Sequence, residues 1–288
     1  QVGRAREIQT LVNDMDRLAE GGSTFRVVVG EYGAGKTFFL NLLRTVALEK
    51  KLVVANADLN PDRRLHASGG QAKSLYTELV RNMTTRSKPE GGALPGIVEK
   101  FVSSAQAVAK ATGITTDAAI HQKLEQLKEL VNGYDFADVI AAYYKGFSEG
   151  NDQLKSDAIR WLRGEFSTKT QAREALGVRT IVEDATVSDQ LKLLARFVRP
   201  AGFGGLIINL DEMVNLYKLS HTQARNANYE QILRILNDSL QGSSEGLGFI
   251  LGGTPEFLTD TRRGLYSYPA LQSRLAQNAF AKDELLDL

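Results

Sequence analysis

Apolar positions change their spacing several times along this chain, and each change marks an element. Ile8, Leu11, Val12, Met15 and Leu18 recur at helical intervals, predicting an amphipathic helix that Gly21-Gly22-Ser23 ends. The run from Arg26 to Val29 reads as a buried strand, and Phe38, Phe39, Leu40, Leu42, Leu43 and Val46 form one side of a following helix. Lys51 to Ala57 is β-branched and suits a second parallel strand, with Asn56 and Asp58 at its end. The rhythm then becomes helical, with helices predicted over 70–84, 96–111, 117–131, 135–147, 151–164 and 169–176, separated by Gly91-Gly92, Gly113, Asn132-Gly133, Gly150 and Gly177. Strand patterns return after a helix over 189–198: Leu206 to Glu212, then a helix from beyond His221 to about Leu240, then Leu247 to Gly253. Beyond Arg274 the pattern offers at most a short strand at Asn278-Ala279-Phe280, with no room for a small helical lid.

Strands alternating with helices predict an α/β three-layer sandwich around a mainly parallel sheet. The stretch 61–187 is too long and regular for a loop, so it reads as an all-helical insertion of about 110–125 residues. Core segments 1–60 and 188–288 flank it. Its aromatics (Tyr134, Phe136, Tyr143, Tyr144, Phe147, Trp161, Phe166) are expected to form its own core. Arg160, Arg163, Lys169 and Arg173 are expected on a solvated helix face.

Composition narrows the class. A hydrophobic content of 43% over 288 residues supports a packed core. With 35 Lys+Arg against 34 Asp+Glu, the net charge of +1 creates no global field toward nucleic acid or membrane. Disulfides and cysteine metal sites are excluded because there is no cysteine, and His66, His121 and His221 have no metal-binding spacing. No apolar run has membrane-spanning length and no signal-peptide pattern appears, so a cytoplasmic protein is expected.

The candidate chemistry sits where the first strand meets its helix. Gly30, Gly35, Lys36 and Thr37 fit G-x-x-x-x-G-K-[ST], the phosphate-cradling P-loop. Glycines there allow backbone angles and approaches that a Cβ forbids, so successive N–H groups can converge on a polyphosphate. The nucleotide-binding residues are expected to be Gly30, Glu31, Tyr32, Gly33, Ala34, Gly35, Lys36, Thr37 and Phe38, with Lys36 as the cation for the β- and γ-phosphates. Thr37 offers a hydroxyl to Mg²⁺.

A second motif is LIINLDE, in which four apolar positions lead into Asp211-Glu212, a Walker B pattern. Asp211 is the expected orienter of Mg²⁺, and Glu212 the expected group polarising the attacking water. Glu212 points to an ATPase of the additional-strand, catalytic-glutamate class of P-loop NTPases. In that class the strand after Walker B lies between the P-loop and Walker B strands and ends in a polar sensor. Here that residue is Thr254, with an ordinary turn threonine as the alternative. Asn56 is placed to restrain Glu212 until a partner binds. Arg262-Arg263 and Arg274 sit where related ATPases reach a neighbouring subunit's γ-phosphate, and Arg274 is the leading candidate. Val2-Gly3-Arg4, followed by Glu7, resembles the segment lining the adenine pocket of AAA+, STAND and origin-recognition ATPases.

VGRAREI, VVVGEYGAGKTFFLN, LVVANADL, LDEMVNLYKL, NYEQILRILND and LGGTPEFLTDTRRGLYSYPALQSRLA together resemble the ATP-binding P-loop proteins of BREX-type phage-defence systems. The resemblance implies an AAA+ or STAND-like ATPase using ATP and Mg²⁺, possible self-association, helicase- or methyltransferase-type defence partners, DNA as a possible further contact, and no membrane. Three functions follow as expectations: hydrolysis coupled to a DNA-processing defence complex, a nucleotide-gated scaffold with little hydrolysis, or a DNA-binding loader, against which the balanced charge argues.

Overall fold

The computed structural model describes residues 5–276 and 285–287. Helix α1 (Ala5–Ala19) packs Leu11, Met15 and Leu18 inward, together with Asp14. Asp14 meets Arg26 of β1 (Thr24–Val29) in a buried ion pair, Arg26 Nε to Asp14 Oδ2 at 2.5 Å and Nη2 to Oδ1 at 2.8 Å. The helix that enters the interior thus brings its own countercharge for a strand arginine, as burial of a charge requires. After the glycine-rich loop, α2 (Lys36–Glu49) buries Phe39, Leu40, Leu43, Ala47 and Leu48, and leads into β2 (Val53–Asp58).

The helices that follow are α3 (Gln71–Arg81), α4 (Leu94–Thr112), α5 (Thr116–Lys123), α6 (Gly133–Glu149), α7 (Asp152–Leu162), α8 (Lys169–Leu176) and α9 (Val187–Val198). Side-chain caps begin α5, α7 and α8, where Thr115, Asn151 and Thr168 each accept a first-turn N–H. The helix expected over 117–131 is shorter, because the chain tightens into a 3₁₀ turn over Glu125–Glu129. Gly133 then passes so close to the Leu127 carbonyl that a Cβ would lie 1.7 Å from it. Next come β3 (Leu206–Asp211), α10 (Val214–Tyr217), α11 (Thr222–Leu240), β4 (Leu247–Gly253), α12 (Pro255–Thr259), α13 (Pro269–Ala276) and β5 (Leu285–Asp287). The expected strand at 278–280 lies outside the described residues.

The sheet has the order β2-β3-β4-β1-β5, and its neighbours run parallel. The strand that follows β3 in sequence therefore lies between β3 and β1, as expected. On one face, Val28, Val54, Ile207 and Ile250 pack under α1 and α2. On the other, Val27, Ala55, Ile208, Leu210 and Leu251 belong to an apolar core that runs without interruption through α3, α4, α6, α7 and α9. Within that core Phe136 of α6 lies 5.3 Å from Phe197 of α9 and 6.3 Å from Trp161 of α7 between ring centroids. The helical stretch buries Phe136, Tyr143, Trp161 and Phe166, whereas Tyr134 and Phe147 are exposed. Arg160 and Lys169 are balanced by Asp157 and Glu183.

Candidate functional site

Parallel strands place all their C-terminal ends on one edge, and ligands bind outside that edge in open α/β sheets. Here it carries Gly30 after β1, Asp58 at the end of β2, Asp211 at the end of β3 and Gly253 at the end of β4. The register pairs Asp58 with Asp211 and Val29 with Gly253, and Gly30 N–H donates to the Gly253 carbonyl at 3.2 Å.

The loop from Gly30 to Gly35 has the conformation its glycines permit. Gly33 and Gly35 have φ of 85° and 87°, and a Cβ on Gly33 would meet nothing within 4 Å, so the space over the loop is open. Helix α2 begins there with no acidic residue in its first turn, leaving its positive end free for an anion. Lys36 Nζ folds back onto the loop, donating to the Gly30 carbonyl at 2.7 Å and the Glu31 carbonyl at 3.0 Å. Tyr32 and Phe38 stand out into solvent, 94% and 62% exposed. Ala34 N–H closes the turn onto the Glu31 carbonyl at 3.0 Å.

The two motifs meet. Thr37 Oγ1 donates to Asp211 Oδ2 at 3.2 Å, although 174 positions separate them in sequence. The other carboxylate oxygen of Asp211 accepts the N–H of Glu212 at 2.8 Å. Glu212 is exposed and left-handed, with φ of 57°, an unusual state for a glutamate that turns the chain sharply off the strand. Gly252 makes room for this arrangement, since a Cβ there would lie 2.6 Å from Asp211 Oδ1. Sequence reasoning passed over Gly252, whose role depends on a neighbouring strand. The donors that meet, a hydroxyl and a carboxylate, are hard oxygen ligands of the kind Mg²⁺ takes while keeping most of its waters. The Asp58 carboxyl is pushed above its ordinary value, first by burial and then by the negative charge of Asp211. A cation between them would relieve that repulsion. Among the described residues no group of three or more His, Cys, Asp or Glu is placed to hold a metal, so the site has no all-protein cage.

The remaining candidates are placed less directly. Asn56 pairs with Asn209 across the sheet, one same-face pair deeper than Asp58 and Asp211, and its Oδ1 accepts from Asn209 Nδ2 at 2.9 Å. Thr254 caps the short α12, its hydroxyl accepting from Phe257 N–H at 3.5 Å. Glu256 next to it had no sequence signal. Its carboxylate is held below its ordinary value by its own backbone N–H, then by Thr254 and by the charge of Lys36, which places it within electrostatic reach of the loop. Arg274 is exposed on α13 and Arg262 is exposed, whereas Arg263 turns inward and donates to the carbonyls of Tyr217 and Leu219, each at 3.1 Å. Val2, Gly3 and Arg4 lie outside the described residues.

A parallel α/β sheet with a glycine-rich loop and a strand-end carboxylate converging on one edge is compatible with a P-loop-like fold. The family model described as BREX system ATP-binding protein BrxC/D matches residues 1–288, and the chain belongs to that family of ATP-binding proteins. No curated protein and no solved structure matches it. No helix among the described residues is long and apolar enough to cross a membrane.

Proposed function

We propose that the chain is a Mg²⁺-dependent ATPase of the additional-strand, catalytic-glutamate class, and that its turnover drives or times a DNA-processing phage-defence complex. The observation that carries this reading is the hydrogen bond between Thr37 and Asp211, which joins the loop and the β3 carboxylate into one site. In this reading the loop N–H groups and α2 bind the polyphosphate. Lys36 exchanges its two carbonyl contacts for the β- and γ-phosphates, and Thr37 and Asp211 hold the metal. Mg²⁺, when bound, offsets charge on the phosphates. Glu212, aimed by the bond from its N–H to Asp211, orients and polarises the attacking water. The stretch 61–187 is an insertion into this ATPase core and the surface through which helicase- or methyltransferase-type partners act.

The test compares ATP turnover by the wild-type protein and Glu212→Gln, with duplex DNA and the other proteins of the defence system present. Loss of a positioned general base predicts a fall of about a hundredfold or more with ATP binding retained. Equal rates with ATP still bound would refute catalysis by Glu212, and equal rates no higher than background would leave a nucleotide-gated switch.

A further inference from the structure

At the opposite edge of the sheet, where strands begin, lies a cleft of about 640 Å³ that belongs to no part of the site above. Lys51, just before β2, and Phe203, just before β3, form one wall. The other wall is the turn between α3 and α4, carrying Arg86, Ser87 and Lys88, together with Lys100 of α4. No acidic residue lines the cleft. Among the described residues Lys51, Lys88 and Lys100 have no carboxylate partner, and Arg86 reaches only the exposed Glu49, at 3.3 Å. In a chain whose net charge is +1, four cations around one concavity are a local concentration that the exposed Glu49 alone, beside Arg86, offsets among the described residues.

The cleft is also preformed. Thr85 and Lys88 exchange backbone hydrogen bonds, Thr85 N–H to the Lys88 carbonyl at 3.2 Å and the reverse at 3.0 Å, and the Thr85 and Ser87 hydroxyls lie 3.2 Å apart. The preceding Thr84 is tied to β2 through reciprocal backbone bonds with Val54. Lys100 Nζ is held 4.4 Å from the centroid of the Phe203 ring. Helix α4, 19 residues long, opens into the cleft with no side-chain cap and no acid in its first turn, and Gly96 faces open space there. One held lysine, three exposed cations, hydroxyls and an uncapped helix start all favour the same ligand charge.

We propose that this cleft binds the phosphate groups of a second ligand, separate from the ATP at the other edge of the sheet. A nucleic-acid strand and a free polyphosphate share that chemistry, and the experiment separates them. Binding of a fluorescein-labelled 12-nucleotide single strand is followed by anisotropy against salt, in the wild type and in Lys88→Ala/Lys100→Ala. Tripolyphosphate is titrated calorimetrically into the same two proteins in a Lys36→Ala background, so that the nucleotide loop does not contribute. Gly96→Glu is the second variant. It sets a carboxylate into open space at a helix start, where it favours the helix and opposes an anion.

If the source is nucleic acid, both variants weaken the oligonucleotide by about tenfold or more at low salt. The lysine pair also flattens the log–log salt slope by about 1.4, while tripolyphosphate is unaffected. If the source is a free polyphosphate, tripolyphosphate binding is lost in both variants and the oligonucleotide is unchanged. Unchanged affinities for both probes in both variants, with melting temperatures preserved, would overturn the proposal.

Discussion

Gly252→Ala tests whether the metal-binding geometry rests on a residue that touches no ligand. The added Cβ would lie 2.6 Å from Asp211 Oδ1 and 3.3 Å from both Asp211 Cγ and Leu40 Cδ1. The first distance is shorter than any real contact, and Leu40 blocks retreat in its direction, so the carboxylate must swing away. It then gives up its bond from Thr37, at 3.2 Å, or from Glu212 N–H, at 2.8 Å. In the metal-bound site a misplaced carboxylate forfeits a charge-assisted hydrogen bond to the metal's waters, about 1.5–3 kcal/mol, and because the neighbouring Thr37 is exposed the lower figure applies. About 1.4 kcal/mol is tenfold in an equilibrium constant. ATP affinity measured by calorimetry with and without Mg²⁺ should therefore show the Mg²⁺-dependent gain reduced by about tenfold, with metal-free affinity unchanged. Asp211→Asn should reproduce the loss, and the double variant should be no worse than Asp211→Asn, since both act on one group. A Gly252→Ala protein with the full Mg²⁺ response would refute the reasoning.

Two further outcomes follow from other groups. Asp58 has a raised folded-state value, so its ionised form is disfavoured in the folded protein. The resulting loss of stability is present above the folded pKa and disappears as pH falls toward the unfolded value, about 3.9. Asp58→Asn should raise the melting temperature at pH 8 and leave it unchanged near pH 3, and the opposite pattern would exclude a charge disfavoured by burial and by Asp211. Asp184 accepts from Gly70 N–H at 2.7 Å and Lys73 N–H at 2.8 Å, capping α3 from more than a hundred positions away. Asp184→Ala should cost about 0.5–2 kcal/mol, as loss of a helix cap does, read from chemical denaturation midpoints. No change would mean that solvent replaces the cap.

What could be read in advance was what depends on neighbours in sequence. The run Phe25 to Leu40 announced strand, loop and helix because an apolar run, three glycines and a helical pattern follow one another within it. Asp211 could be anticipated because four apolar positions precede it. What escaped depends on contacts across strands or around turns. Gly252 matters only because β4 lies beside β3. Arg263 resembles Arg262 in sequence, yet only Arg263 is drawn inward, because Tyr217 at the end of α10 and Leu219 just beyond it both present carbonyls to its guanidinium. Thr254 precedes a proline, which starts a short helix and gives its hydroxyl a capping role. The cationic cleft drew no notice because its members lie at residues 51, 86, 88, 100 and 203, and only folding gathers them.

The strand order carries a consequence for the order of synthesis. Thr37 follows β1 and Asp211 ends β3, but these strands do not touch; β4, made later than both, lies between them. A chain still emerging from the ribosome holds both motifs long before it holds the strand that spaces them. Thr37 and Asp211 gain their native separation only when Leu247–Gly253 inserts, which makes the metal-binding half of the site a late product of folding. Until then the nascent protein carries its nucleotide loop without the partner carboxylate in place, and a chain truncated before Leu247 would do so permanently.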